Sequence, residues 1–143
     1  MLSVSCKAAI KAVVFLGVQH QSSERYSIGE IAAEINENSH TVGKLLQKLT
    51  HAGIINSIKG PHGGFYISEQ QRHKHVIDIV EAIDGKEVFL ECGLGFNKCS
   101  DSKPCPFHND FKKVRDLFTE MCRKKKICEL DESVIRGNAY LRG

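Results

Sequence analysis

The sequence predicts a mainly α-helical fold with one small β-hairpin and a long helix near the C-terminus. Three observations predict it. Apolar residues recur at spacings of three and four over most of the chain, and polar capping residues precede several of these stretches. Between Ile54 and Ser68 the period drops to two around a turn rich in glycine and proline.

Ser5 to Gly17 carries Ala9, Ala12, Val13 and Leu16 at helical spacing, which predicts a first helix packed on a core. Ser27 followed by Glu30 is a capping box that opens IGEIAAEI, a short second helix with Ile28, Ile31, Ala32 and Ile35 on one side. Asn38 or Ser39 caps a third helix, HTVGKLLQKLTHA, which buries Val42, Leu45, Leu46 and Leu49 and stops at Gly53. Ile54 to Lys59 and Gly64 to Ser68 read as two strands joined by Gly60, Pro61 and Gly63. HVIDIVEAIDG is a fourth helix. Asn109 or Asp110 caps a longer one carrying Phe111, Val114, Leu117, Phe118 and Met121, with a basic end at Arg123 to Lys126 that complements the helix dipole.

Two helices joined by a short turn and followed by a hairpin make a winged helix-turn-helix; an unrelated small α+β domain is the alternative that the pattern leaves. The expected organisation is a winged helix-turn-helix over residues 1–85, a cysteine-rich loop over 86–108, and a dimerisation helix with a C-terminal tail over 109–143. The long apolar stripe lies beyond an already complete domain, and a second copy of the chain is its simplest partner.

The chain has 143 residues, 41% of them hydrophobic, enough for one domain with a core. No apolar run approaches the roughly 20 residues that span a bilayer, and MLSVSCKAAIKAVVFLG lacks a small-residue cleavage site, so a cytoplasmic protein without membrane association is expected. The net charge is only +3, but its distribution is uneven. From Ser39 to His75 five basic residues (Lys44, Lys48, Lys59, Arg72, Lys74) face one acid (Glu69), a net of +4, and the rest of the chain sums to about −1. A solvated basic face would look the same; a nucleic-acid footprint requires it.

In a helix-turn-helix the second helix reads base edges with its N-terminal residues. Here these are Ser39, His40, Thr41, Gly43 and Lys44, with Lys48 a turn further on, and none is acidic. Gly43 costs a helix roughly 1 kcal/mol against Ala. Close approach of its backbone to DNA or to the neighbouring helix would account for it. The wing presents Lys59, Gly60, His62 and Gly63 at its tip, placed for phosphate or the minor groove.

Six cysteines without a signal peptide argue against a disulfide framework and for metal or redox chemistry. Cys92, Cys99 and Cys105 are separated by six and five residues, unlike the CxxC pairs of zinc knuckles, and the glycines and prolines between them suit a loop that wraps a centre. Thiolates favour iron-sulfur clusters, Cu(I) or Zn. His108 follows Cys105 by three residues and is either a fourth donor or a helix-start residue. Cys6, Cys122 and Cys128 are expected to pack as small hydrophobes.

The order of SCKAAIKAVVFLG, SIGEIAAEI, KLLQKLTHAGIINSIKGPHGGFYIS and VIDIVEAIDG, and then Cys92, Cys99, Cys105 and His108, resembles the Rrf-type winged-helix regulators over nearly the whole chain. The wing and the three-cysteine loop are the most specific parts of the match. The resemblance implies a homodimer clasped through its long helices, binding palindromic double-stranded operator DNA as a repressor. It further implies an iron-sulfur cluster in the loop that modulates DNA affinity. Members of the IscR type hold a 2Fe-2S cluster by three cysteines and a histidine, matched here by Cys92, Cys99, Cys105 and His108. Members of the NsrR type use an acidic side chain from the partner's first helix, where this chain has Lys7. The sensed signal would be iron-sulfur status, redox state or nitric oxide. A structural zinc site or a cluster-free thiol switch on the same winged helix is the alternative. No CxxC redox pair, glycine-rich nucleotide loop or Ser/His/Asp arrangement supports an enzyme.

Overall fold

The computed structural model of the chain describes residues 1–96 and 99–142. Its elements run α1 (Val4–Val18), α2 (Ile28–Ile35), α3 (Ser39–His51), β1 (Asn56–Ile58), β2 (Gly64–Tyr66), α4 (Glu69–Arg72), α5 (Val76–Asp84), α6 (His108–Lys124) and α7 (Ile127–Ile135), with short 3-10 turns at His20–Ser22 and Lys86–Phe89. This is a mainly helical winged helix-turn-helix with a two-stranded antiparallel hairpin, the architecture that the periodicity predicts.

α1 is the central element. It packs against α2, α3, α5 and α7, so burial extends around most of its circumference rather than along one stripe. Ser3 caps it by accepting from the Cys6 N–H. α2 opens with the predicted capping box: Ser27 Oγ accepts from the Glu30 N–H, and the Glu30 carboxylate accepts from the Ser27 N–H. For α3 the cap is Asn38, whose Oδ1 accepts from the His40 and Thr41 N–H groups. Val42, Leu45, Leu46 and Leu49 lie in the main core with Ile31, Ile35, Val13 and Leu16.

The strands are shorter than alternation predicts. Ile54, Ile55 and Ile67 turn into the core instead of continuing the ladder, which leaves Asn56↔Tyr66, Ser57↔Phe65 and Ile58↔Gly64 as the register. Tyr26, just before α2, bonds to Phe65 in both directions (Tyr26 N–H to Phe65 O 3.0 Å, Phe65 N–H to Tyr26 O 2.8 Å) and ties the wing to the helix-turn-helix. Ser68 and Gln71 form a second capping box over α4, a turn of helix with no counterpart in the predicted elements.

The C-terminal tail expected after the long helix contains α7. Its Ile127 enters the main core, and its Asp131 is wholly buried against α1. A backbone bridge precedes it, with Val76 N–H donating to Lys125 O and Ile127 N–H to Lys74 O. A second, smaller apolar cluster of Cys6, Val76, Val80, Phe89 and Cys122 joins the start of α1 to α5 and α6, under the cysteine loop. Among the described residues, no helix is long and apolar enough to cross a membrane.

Candidate nucleic-acid face and cysteine loop

Burial of four apolar residues on one side of α3 turns the opposite side outward. Ser39, His40, Thr41, Lys44 and Lys48 are exposed there, and Gly43 is half-buried between the two sides. Lys59, Gly60 and His62 are exposed at the wing tip. Gly63 is needed for the turn itself, because a Cβ there would overlap the carbonyl of Ile58. A groove of about 670 Å³ separates α3 from the wing, with Gln47, Thr50 and His51 on one wall and Ser57, Ile58 and Lys59 on the other.

Gly43 is not required by packing. A Cβ added there would meet Ile28 of α2 at 3.4 Å, an ordinary contact. Of the two explanations for it, crowding by the neighbouring helix therefore loses its force. Arg72, one of the five cations in the basic segment, does not belong to this face. It is buried, gives Nε and Nη2 to Asp131 at 2.9 and 2.6 Å and Nη1 to Glu69 at 2.7 Å, and these carboxylates hold its ionisation well above the ordinary guanidinium range. Arg25, absent from the predicted set, lies over the ring of the wing residue Tyr66 at 5.0 Å from its centroid. Only the tertiary pairing of Tyr26 with Phe65 brings it there.

In the cysteine loop, Cys92, Cys105 and His108 are buried and Cys99 is half-buried. They form two adjacent pairs. Cys92 and Cys105 lie close enough for each to shift the other's ionisation, and Cys92 Sγ accepts from the Leu94 N–H at 3.4 Å. That N–H, with other backbone donors and Cys105, lowers the Cys92 thiol from its ordinary value, whereas burial and the neighbouring Cys92 raise Cys105. One thiol of the pair is thus disposed to ionise before the other.

The second pair is Cys99 and His108, with Sγ 3.1 Å from Nδ1. His108 Nε2 lies 2.8 Å from Asp101 Oδ1, and a carboxylate can only accept, so Nε2 is the donor there and, in the neutral ring, Nδ1 presents its lone pair to Cys99. A carboxylate behind a histidine, fixing the tautomer that exposes the other nitrogen, is the usual support of a histidine ligand. Asp101 is missing from the predicted site because its role depends on the loop folding back over His108. The bond to His108 lowers its carboxyl.

Among the described residues, no three His, Cys, Asp or Glu side chains are placed to hold a single metal ion as they stand. The donor chemistry, three thiols and one oriented imidazole nitrogen in two pairs, does fit a two-iron cluster, which takes two ligands at each iron. Asn97 and Lys98, within the first gap of the loop, lie outside the described residues.

α6 begins at His108, one residue earlier than the predicted cap, because the His108 N–H closes a turn onto Cys105 O at 3.0 Å. His108, Phe111, Arg115, Phe118 and Cys122 make its inward side. Gly93 lies so close to Phe111 that an added Cβ would sit 2.7 Å from the ring, and Phe118 stacks on Phe89 at 5.9 Å. Val114, Leu117 and Met121 point outward and are 52%, 73% and 52% exposed. The apolar stripe thus divides between the chain's own loop and solvent. Cys6 and Cys122 are fully buried, as packing residues should be, and burial pushes the Cys6 thiol up to about 12.

Comparison with known proteins agrees with this architecture. The model of the Rrf2 family, described as an iron-dependent transcriptional regulator, matches residues 2–132. The HTH-type transcriptional regulator IscR of Cereibacter sphaeroides is 26% identical over 95 residues, 66% of this chain and 61% of that one. A chain of Aquifex aeolicus named for the HTH-type transcriptional regulators is 25% identical over 91 residues, 62% of this chain and 63% of that one, so this chain spans less than two thirds of either relative. The solved structure of CymR, the global cysteine regulator of B. subtilis, matches in fold with a TM-score of 0.74, covering 92% of this chain and 96% of that one at 18% identity. The chain belongs to the Rrf2 family, a family of transcription regulators and not of enzymes.

Proposed function

We propose that this regulator is an iron-sulfur sensor: a cytoplasmic homodimer that binds a palindromic operator as a repressor, with a 2Fe-2S cluster held by Cys92, Cys99, Cys105 and His108. The observation that carries this reading is the arrangement of the four donors as two pairs with a histidine already held in its ligand tautomer by Asp101. A single tetrahedral zinc asks for four donors around one point, and two pairs suit it less well. When bound, the cluster supplies a centre whose charge and occupancy respond to iron supply, oxidants and nitric oxide.

The chain's own residues connect that centre to DNA. His108 is the first residue of α6, so a group held by the loop is joined directly to the start of that helix. The exposed Val114, Leu117 and Met121 support a seam with a second copy, which would set the distance between two copies of α3. At its other end α6 leads through the Lys125 and Lys74 carbonyl bonds to α7, whose Asp131 grips Arg72, six residues after the end of β2 in the wing. If loop occupancy favours one arrangement of these elements, operator affinity changes with it, and DNA changes cluster affinity by the same factor.

On DNA, Ser39, His40, Thr41, Gly43 and Lys44 would face base edges, and Lys48, Lys59, Gly60, His62 and Gly63 the backbone. The Cys99–His108–Asp101 arrangement also supports a cluster-free thiol switch, since it holds a half-buried thiol against an oriented imidazole in an otherwise exposed loop. An anaerobic visible spectrum with iron and acid-labile sulfide content separates the two. A coloured protein with equal iron and sulfide, lost or made labile in His108→Ala, supports the cluster; a colourless protein free of both after reconstitution overturns it.

A further inference from the structure

Arg115 presents a problem in charge balance. Its side chain is buried at 7% exposure on the inward side of α6, two turns beyond His108 and in line with Phe111. Nη1 donates to the backbone carbonyl of Glu91 at 3.0 Å, immediately before Cys92. Nε has no hydrogen-bond partner among the described residues. The nearest carboxylate, Asp116, reaches Nη2 only at 4.0 Å and is itself half in solvent. A guanidinium cannot shed its proton, and burying it with one carbonyl partner and a silent N–H is unfavourable unless an anion lies nearby. The face it shares with His108 and Phe111 is the floor of the cysteine loop, since Phe111 fills the space over Gly93.

We infer that Arg115 is the buried counter-cation of the anionic centre held by the cysteine loop, and that its charge sets how readily that centre accepts an electron. The inference rests on the cluster reading above. Each thiolate ligand brings a negative charge, so the loaded loop is anionic, and one-electron reduction adds a further unit of negative charge without breaking a ligand bond. A fixed cation in a site shielded from water favours the more negative, reduced form and resists loss of thiolate ligands. Arg115 touches no reacting atom in the structure; it acts through the field and by pinning the Glu91 carbonyl beside Cys92.

The test is a redox titration of the full-length, anaerobically reconstituted protein against an electrode with mediators, followed by visible absorbance, in wild type, Arg115→Gln, Arg115→Met and Arg115→Lys. Glutamine keeps a donor for the Glu91 carbonyl and methionine keeps a buried stem, so between them a neutral replacement that folds is available, as judged by circular dichroism and the melting transition. In the neutral variants the electron affinity of the centre should fall at least tenfold, which is about 59 mV for one electron. Arg115→Lys should stay within threefold of wild type. Neutral variants with full iron and sulfide and an unchanged potential overturn the role of Arg115 and leave the cluster reading standing. A wild type that takes up no iron and sulfide overturns both.

Discussion

Asp131 receives two parallel hydrogen bonds from Arg72, Nε at 2.9 Å and Nη2 at 2.6 Å, in an ion pair whose members are 0% and 4% exposed. The pair joins α7 to the turn of helix that follows the wing. It sits directly on α1 at Gly17, where any Cβ would collide with the Asp131 carboxylate. Removing one member of a buried pair leaves the other charge uncompensated. Asp131→Ala should therefore destabilise the fold by about 3–5 kcal/mol, read as a lower denaturation midpoint. Gly17→Ala should act in the same direction by driving the carboxylate out of place. Asp131→Ala within 1 kcal/mol of wild type, about the size of an exposed pair, would show that α7 is not latched to the core through this contact.

Lys44 and Lys59 should contribute to DNA binding in different ways. Lys59, at the wing, should contact phosphate, so that Lys59→Ala makes the salt dependence shallower by about one unit on every sequence. Lys44, in the first half of α3, should cost about 1–3 kcal/mol on the preferred site and little on random DNA. Gly43→Ala is the companion test. Packing tolerates the methyl group, so the variant should be as stable as wild type or up to about 1 kcal/mol more so, while operator affinity falls if the α3 backbone approaches the groove. Fluorescence anisotropy at several salt concentrations measures all three, and equal small losses for Lys44→Ala on both DNAs would remove Lys44 from the base-reading set.

If Val114, Leu117 and Met121 form the seam of the proposed homodimer, Leu117→Asp should dissociate it. Leu117 is 73% exposed in the single chain, between Val114 and Met121, so the substitution leaves the protomer intact and places an unpaired carboxylate in the seam. Sedimentation should show monomers, and tight operator binding should disappear with them. A variant that remains dimeric places the interface elsewhere.

Cys6 should make the protein alkali-sensitive in a particular window. Burial holds its thiol at about 12 in the folded chain against 9.0 for an unburied thiol. The folded state therefore keeps a proton that the unfolded chain loses above about pH 9, and the stabilisation is complete below that point and declines as pH rises toward 12. The slope approaches at most about 1.4 kcal/mol per pH unit. Denaturation of wild type and Cys6→Ala between pH 8 and 10.5 should show a slope in the first that is reduced in the second. Parallel slopes would mean that Cys6 ionises as freely in the folded chain as in the unfolded one.

The helices, the hairpin and the buried faces were legible because they rest on local rules. Ser27 and Glu30 cap α2 wherever α2 lies, and the 3–4 spacing of Val42, Leu45, Leu46 and Leu49 selects one side of α3 in any fold. Cys92, Cys99, Cys105 and His108 were legible as residue types that share a chemistry. Their grouping into two pairs was not, nor was the place of Asp101 behind His108, because loop residues have no periodicity to read.

The winged helix-turn-helix, the outward side of α3 and the identity of the soft donors can be read from local pattern, since each follows from hydrophobic period, caps and side-chain chemistry along a short stretch of chain. The fate of the charges depends instead on the folded arrangement. Arg72 was a surface cation by composition and became a core residue, because Asp131, 59 positions later, reaches it across Gly17. Arg115 stood among polar positions of an amphipathic helix and was turned inward, because Phe111 and Phe118 on either side of it had to pack on Gly93 and Phe89. Burial of a charge depends on which distant residues close around it, and no local pattern encodes that.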